Sequence, residues 1–467
     1  LIPEMVEHME YRKGPYYAEI GDFGTAASSE FVYADTLEKG NLTLTAGEYN
    51  YRRAFVADTV NVGQGKLTMA GALTNYSGPW VLDQDLDKVN ALLKYHQETP
   101  TGDWSVSATS YDNTWNSTDQ IPQRAVRDGS LHRFGTIDTS DGGKTHRHSL
   151  GADWQKLSND VAITLNAYAI DYGLNLFSNF TYFLEDPVSG DQFEQADQRR
   201  VYGFDASYAR RLTLRQRDAR FTIGLQNRSD DIDLGLYKTQ QRRRFANTRE
   251  DKVKQSLSSA YASLDLSISQ RLRAVGGLRA DHYSFDVDAA LAANSGNSHD
   301  DLLSPKFSLI YAQSDKTELF LSAGQGFHSN DARGTTITVD PASGAPTDSV
   351  DPLAKARSTE FGMRSAAIAN TQLAISLFSM RLDSELVYVG DAGATEALGK
   401  SKRYGIEIGA LYAPRPWLLI DADLTLTKAK LLGVGPDDHI PNSVDRTASL
   451  GFIVNDLNKF SGGLRIR

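Results

Sequence analysis

Apolar and polar residues alternate with a period of two along nearly the whole chain, and almost no segment sustains the 3.6-residue spacing of an amphipathic helix. From Val161 to Ala169 the odd positions read Val161, Ile163, Leu165, Ala167 and Ala169, with Thr164 and Asn166 between them. Ala260, Ala262, Leu264, Leu266 and Ile268 likewise face away from Ser259, Ser263, Asp265 and Ser267. Leu418, Ile420, Ala422, Leu424 and Leu426 oppose Asp421, Asp423, Thr425 and Thr427. Each run is about as long as a tilted strand needs to cross a bilayer, roughly 9 to 11 residues.

The connections sort into two kinds. Short ones (Ser158 to Asp160, Gln270, Ser314 to Lys316, Pro414 to Pro416, Asp456 to Asn458) alternate with long polar ones (Asp112 to Thr145, Tyr172 to Asp197, Ser229 to Lys254, Asp286 to Leu302, Gly326 to Ala356). Short turns at one end and long loops at the other are the habit of outer-membrane barrels. The pattern predicts an all-β fold, a transmembrane antiparallel β-barrel whose apolar side chains face lipid and whose polar ones line a wet lumen. Read by this parity, about 19 strands run from Asn41 to a last one over Lys459 to Arg467. A soluble propeller would repeat a blade of about 40 to 45 residues with a recurring signature, and no such repeat occurs.

Composition fits this picture. No run of 18 apolar residues exists to make a membrane helix, while 21 Tyr, 19 Phe and 5 Trp can populate interfacial girdles. A net charge of −10 without any basic stripe argues against nucleic acid as a partner. The absence of cysteine removes disulfides and thiolate metal sites. Enzyme signatures are missing too: there is no Gly-x-Ser-x-Gly elbow, phosphate loop or His-Glu-x-x-His motif, so no catalytic role and no cofactor is expected. Chain ends at Leu1, without an initiator Met or signal peptide, and at Arg467, inside an expected strand, read as truncations.

The amino-terminal stretch departs from the alternation. Met9-Glu10-Tyr11-Arg12-Lys13-Gly14-Pro15-Tyr16-Tyr17-Ala18-Glu19-Ile20-Gly21-Asp22-Phe23-Gly24-Thr25-Ala26 joins an acidic and apolar strand to a basic-Gly-Pro turn and a glycine-containing stretch. In that place, ahead of the strands, it resembles the end of the plug in TonB-dependent outer-membrane receptors. The segment after Ala18 lacks the Leu-Tyr-Gly and paired glycines of many relatives. Two further stretches resemble barrel strands of the same family: Ser358-Thr359-Glu360-Phe361-Gly362-Met363, and Arg403-Tyr404-Gly405-Ile406-Glu407-Ile408-Gly409.

The resemblance implies a plug remnant over 1–37 and a barrel over 38–467, in the outer membrane of a Gram-negative cell. Barrels plugged in this way have about 22 strands, so about three are expected to be missing, leaving a gap in the wall. It implies TonB-energised uptake of a scarce solute, with an iron-siderophore or other metal chelate as the family's default ligand. The TonB contact segment is expected to lie outside the fragment, and lipid and lipopolysaccharide to surround the wall. A passive porin-like channel and a binding-only receptor or adhesin are the alternatives.

In such receptors basic plug residues meet barrel glutamates. Arg12 and Lys13 with Glu360 and Glu407 are therefore the candidate plug-to-barrel lock, against the alternative that the glutamates are simply hydrated lumen charges. Among outer-loop residues, His328, Asn330, Asp331 and Arg333 collect an imidazole, an amide, a carboxylate and a guanidinium above an ascending strand. They suit a polar or anionic ligand, with Arg333 free for bidentate contacts, or else an Asx-type turn that only organises the loop. Gln241-Arg242-Arg243-Arg244 is a basic cluster expected in another outer loop. His146 and His148 share a strand face, yet two imidazoles without a third ligand make no metal site.

Overall fold

The computed structural model describes residues 2–341, 343–389 and 394–467. Among them, 19 strands form one ring, beginning at Asn41–Ala46 and ending at Phe460–Ile466. Each strand in that series pairs antiparallel with its neighbours in the chain, apart from a small hairpin, Leu386–Val389 with Ala394–Ala397, that stands outside the wall. The ring order closes, so the expected gap is not present: the last strand takes the place beside the first. An odd number of alternating strands sends the first and last in the same direction, which makes this seam the one parallel junction. Its two strands have 6 and 7 residues, all exposed.

Several strands are far longer than a bilayer requires. Phe193–Leu214, Arg217–Gln240 and Arg243–Ser267 have 22, 24 and 25 residues. Stretches expected as long loops are therefore largely wall: Ser229 to Lys254 is the top of a hairpin that reverses at Gln241 and Arg242, both in the left-handed region at φ 49° and 62°. True loops remain at 117–141, 179–192, and 330–341 with 343–352, the last two rising beside this hairpin.

Cross-strand register shows where lipid gives way to water. Low on the outer face, Trp104, Trp154, Leu165, Ala206, Leu225, Ala260, Ala280 and Leu303 lie side by side on successive strands. Six residues higher, the same face carries His148, Asp171, Arg200, Asp231, Lys254 and Asp286, neighbours of alternating sign. A charge at bilayer midplane costs up to about 2–4 kcal/mol. This row therefore stands above the hydrocarbon, where opposite charges on facing strands attract.

Above that boundary the burial pattern inverts. Inward-facing Ile232, Val253, Tyr283, Phe285, Val287 and Leu302 pack with Phe327, Ala332 and Leu353 into an apolar core inside the upper ring. The lumen is thus not polar throughout, as the alternation alone suggested. Water outside and packed loop inside reverse the preference of each strand face.

Candidate ligand cavity and the lodged amino-terminal segment

Residues 2–37 lie inside the ring, touching strands on its opposite sides. Val6–Lys13 and Ala27–Tyr33 pair as a hairpin. At its foot Ile2 and Met5 are buried against Phe55, Ala57, Ala70, Ala72 and Leu92. Glu4 accepts both guanidinium arms of Arg53 at 2.6 and 3.0 Å. Beyond the hairpin, Gly14 takes φ 72° and starts the turn that Pro15 continues.

The connecting stretch 14–26 makes the most intimate contacts. Pro15 and Gly24 pass so near the strand Thr317–Ser329 that a Cβ on Gly324 would stand 2.3 Å from the Pro15 carbonyl oxygen, and one on Gly326 2.6 Å from that of Gly24. The Tyr16 hydroxyl meets Ser358 Oγ at 3.0 Å. Arg279, 2% exposed, donates from Nη1 to the Ala18 carbonyl at 3.3 Å and to Gln226 Oε1 at 2.6 Å. Gln226 Nε2 in turn donates to the Glu19 carbonyl at 3.1 Å. The Asp22 carboxylate accepts the backbone N–H and the hydroxyl of Ser329, each at 2.6 Å. Burial nevertheless pushes the Asp22 carboxyl above the usual range, outweighing those hydrogen bonds.

The predicted charges meet only in part. Lys13 Nζ contacts the Glu407 carboxylate. Arg12 instead pairs within its own segment, with Glu19 at 2.7 Å and Glu10 at 3.1 Å. Glu360 is hydrogen-bonded to Ser376, and among the described residues it forms no ion pair with Arg12 or Lys13. Below the segment, a cavity of about 860 Å³ lies between Tyr11, Lys13 and Tyr17 and the lumen face of the wall, where Glu360 and Glu407 both reach it.

At the outer end a second cavity, of about 720 Å³, opens between the loop 179–192, the top of the long hairpin and residues 330–341 and 347–350. Three of the four predicted ligand residues reach its wall, but not as free groups. Asp331 caps the short helix Ala332–Thr336 by accepting from Arg333 N at 3.0 Å. Its carboxylate also takes the Arg333 guanidinium at 2.6 and 3.1 Å, so the bidentate capacity expected for an anion is already occupied. Burial would raise the Asp331 carboxyl, yet the charge and hydrogen bonds of Arg333 hold it below its ordinary value. Asn330 donates to the Asp351 carbonyl at 2.7 Å.

His328 is not at this cavity. It is buried, stacks on Phe23 at 5.9 Å and lies 2.9 Å from the Ser384 carbonyl, to which Nε2 donates.

Two arginines of the basic cluster are committed in the same way. Arg242 donates to the carbonyls of Ser140 and Asp141 at 2.6 and 2.8 Å. Arg244 grips Glu194 at 2.5 and 2.9 Å while lying 3.7 Å above the Tyr237 ring. His146 and His148 stack at 5.2 Å and face Asp171 and Asp112, and no cluster of metal-ligating residues occurs among the described residues.

Arg279, Gln226, Asp22 and Gly324 carry the contacts with the lodged segment and escaped the sequence reading. Gly324 and Gly326 offered a signal, since glycines inside a strand often mark a close backbone approach.

Comparison with known families places this architecture. The description "TonB dependent receptor-like, beta-barrel" matches residues 85–467. The chain belongs to the TonB-dependent receptors. It is therefore a receptor of the outer membrane, of a family of receptors and transporters, and its wall crosses the bilayer with strands; among the described residues no helix is long and apolar enough to do so. Solved structures agree with the receptor's fold. The siderophore receptor PiuA from Acinetobacter baumannii aligns with TM-score 0.77 at 13% identity, over 99% of this chain and 76% of its own. The unliganded ferric citrate transporter FecA gives 0.76 at 14% identity, over 96% and 68%. The copper transporter OprC gives 0.74 at 16% identity, over 97% and 71%. No curated protein matches the receptor's sequence.

Proposed function

We propose that this receptor imports a scarce solute, of the class of metal chelates, across the outer membrane with energy supplied through TonB. Residues 1–37 are read as the end of the plug and 38–467 as the barrel. The observation that carries this reading is the lodged segment, held across the lumen by Glu4 to Arg53, Lys13 to Glu407, Ala18 to Arg279 and Asp22 to Ser329. A passive porin needs an open lumen, and these contacts obstruct it. They are also individually modest, hydrogen bonds worth about 1 kcal/mol and partly exposed ion pairs worth less than about 1 kcal/mol. Such a junction holds at rest and yields in sequence to a pull.

The neighbours named for siderophore, ferric citrate and copper transport favour a metal complex as the solute. The test is uptake of ferric citrate, a ferric catecholate and a copper salt by cells carrying the intact receptor, with and without a functional TonB complex. TonB-dependent accumulation of one of them is expected. Uptake that continues unchanged without TonB would replace this reading with passive diffusion.

A further inference from the structure

Three carboxylates converge where the loop 117–141, the loop 179–192 and the tip of the long hairpin join. Gln192, 2% exposed, ties these elements together. Its Nε2 donates to Asp138 Oδ2 and Asp141 Oδ1, each at 3.2 Å, while its Oε1 accepts from Thr239 Oγ1 at 3.0 Å and from Arg242 N at 2.9 Å. Asn179 adds a second tie, its backbone N–H on Asp119 at 2.7 Å and its Nδ2 on Asp138 at 2.8 Å. Gln192 also lines the outer cavity, so the junction stands at the edge of that opening.

No cation balances the three acids. Among the described residues Asp119, Asp138 and Asp141 form no ion pair. Arg242 of the hairpin stands beside them, but its guanidinium is committed to the Ser140 and Asp141 carbonyls and to Asn116 Oδ1. From the loop 179–192 the Tyr182 hydroxyl donates to the Gln120 carbonyl instead. Asp141 is fully buried, and its Oδ2 meets no hydrogen-bond donor; the group it faces is the Asp119 carboxylate. Two carboxylates in such contact cannot both ionise without a large cost. A proton on Asp141 removes one charge and turns the orphan oxygen into a donor to Asp119. Burial, then the charges of Asp138 and Asp119, accordingly push the Asp141 carboxyl up to about 8. Burial and the same three charges push the Tyr182 hydroxyl up to about 12.

We infer that the junction is a proton-held clasp: one proton on Asp141 keeps the loops 117–141 and 179–192 closed against the hairpin tip, and its loss lets them part and widen the mouth of the outer cavity. The clasp is independent of which solute is carried and of TonB. Its sign follows from the two states. Closed, Asp141 keeps its proton to about pH 8; parted, it is an ordinary carboxyl with a value of 3.8. Closing is therefore strongest at low pH, weakens by at most about tenfold per pH unit between 3.8 and 8, and changes no further above 8.

The chain has no cysteine, so Arg127→Cys with Val188→Cys, both exposed and one on each loop, accepts a single pair of nitroxide labels. Pulsed electron paramagnetic resonance on the purified receptor, in detergent with a chelator present, reads the distance between the loops at pH 6, 7, 8 and 9. A longer-distance population is expected to grow about threefold or more from pH 6 to pH 8 and to level off by pH 9. Asp141→Asn places an N–H where the proton sits, and Asp119→Asn offers a donor to Asp141 from the other side; each should keep the loops closed at pH 9, with melting at pH 6 confirming the fold. Asp128→Asn, exposed on the same loop and outside the cluster, should open as the parent does. Distances that stay constant from pH 6 to pH 9 in the parent, or opening of the same size in Asp141→Asn, would overturn the clasp.

Discussion

Arg279 and Asp281 stand two positions apart on one strand, their Nε and Oδ1 atoms 2.8 Å from each other, and both side chains are closed off from solvent. Ser259 donates to the same Asp281 oxygen at 2.6 Å, while the outer arm of Arg279 reaches the Ala18 carbonyl. The pair therefore links the barrel wall to the backbone of the lodged segment. A guanidinium suits this task because its planar fork serves a carboxylate and a carbonyl at once.

Replacing Arg279 by Met should leave the buried Asp281 without its counter-charge, with only the Ser259 hydrogen bond remaining, at a cost of about 3–5 kcal/mol. Denaturant unfolding in detergent reads the loss, and limited proteolysis within residues 14–26 should become faster. Removing both charges, with Arg279→Met and Asp281→Leu, should recover most of the stability without restoring protection of the segment. Proteolysis as slow as in the parent protein would show that Arg279 does not hold it.

Gly324→Ala tests the close approach of Pro15. The new methyl would meet backbone rather than a movable side chain, at 2.3 Å from the Pro15 carbonyl oxygen. Displacement of the segment should cost about 1–3 kcal/mol, the usual range for overpacking. Hydrogen exchange should accelerate at 14–26 and stay unchanged in the strands Arg52–Val62 and Gly65–Tyr76. Acceleration spread evenly over the barrel would contradict this.

Charge reversal separates Glu407 from Glu360. Lys13→Glu and Glu407→Lys should each loosen the segment, and the double variant should regain part of the loss, with a coupling of about 0.2–1 kcal/mol because both groups remain partly exposed. Combining Lys13→Glu with Glu360→Lys should give a smaller coupling, because Glu360 feels the Lys13 charge without forming an ion pair with it. A double-mutant cycle on segment protection measures both pairs, and coupling confined to Glu360 would refute the assignment.

Asp141 ties stability to pH. Burial, then the neighbouring charges of Asp138 and Asp119, push its carboxyl up to about 8. A carboxyl raised on folding holds a proton that the unfolded chain has already released. Stability is therefore greatest at low pH and falls as pH rises from the ordinary carboxyl value of 3.8 towards 8, by at most about 1.4 kcal/mol per unit. Asp141→Asn removes the titration and keeps the acceptor for Gln192, which donates to Asp141 Oδ1 at 3.2 Å. Melting temperatures from pH 5 to pH 9 should decline less in the variant than in the parent. Parallel curves would remove Asp141 from this role.

Period-two alternation determined the strands, their number and the class of fold, because a strand turns successive side chains to opposite faces whatever surrounds it. The Gly14-Pro15 turn and the shift in pattern before Asn41 likewise marked the amino-terminal segment as a separate element. Alternation did not determine which face is greasy at a given height. In Arg217–Gln240 the outward residues are Phe221, Ile223 and Leu225 low in the wall but Asp231 and Asp233 higher up, with Ile232 turned inward. That change of phase looks like a loop in one dimension. It follows from the medium outside the wall, lipid below and water above, which exists only once the ring is closed.

The candidate site divides in the same way. Lys13 was identifiable from its turn, but its partner Glu407 is 394 positions away and only register decides between it and Glu360. Arg333 looked free because nothing local revealed how the helix cap at Asp331 folds the carboxylate back onto it. Which charges remain available to a ligand is settled by the partners each one meets in three dimensions.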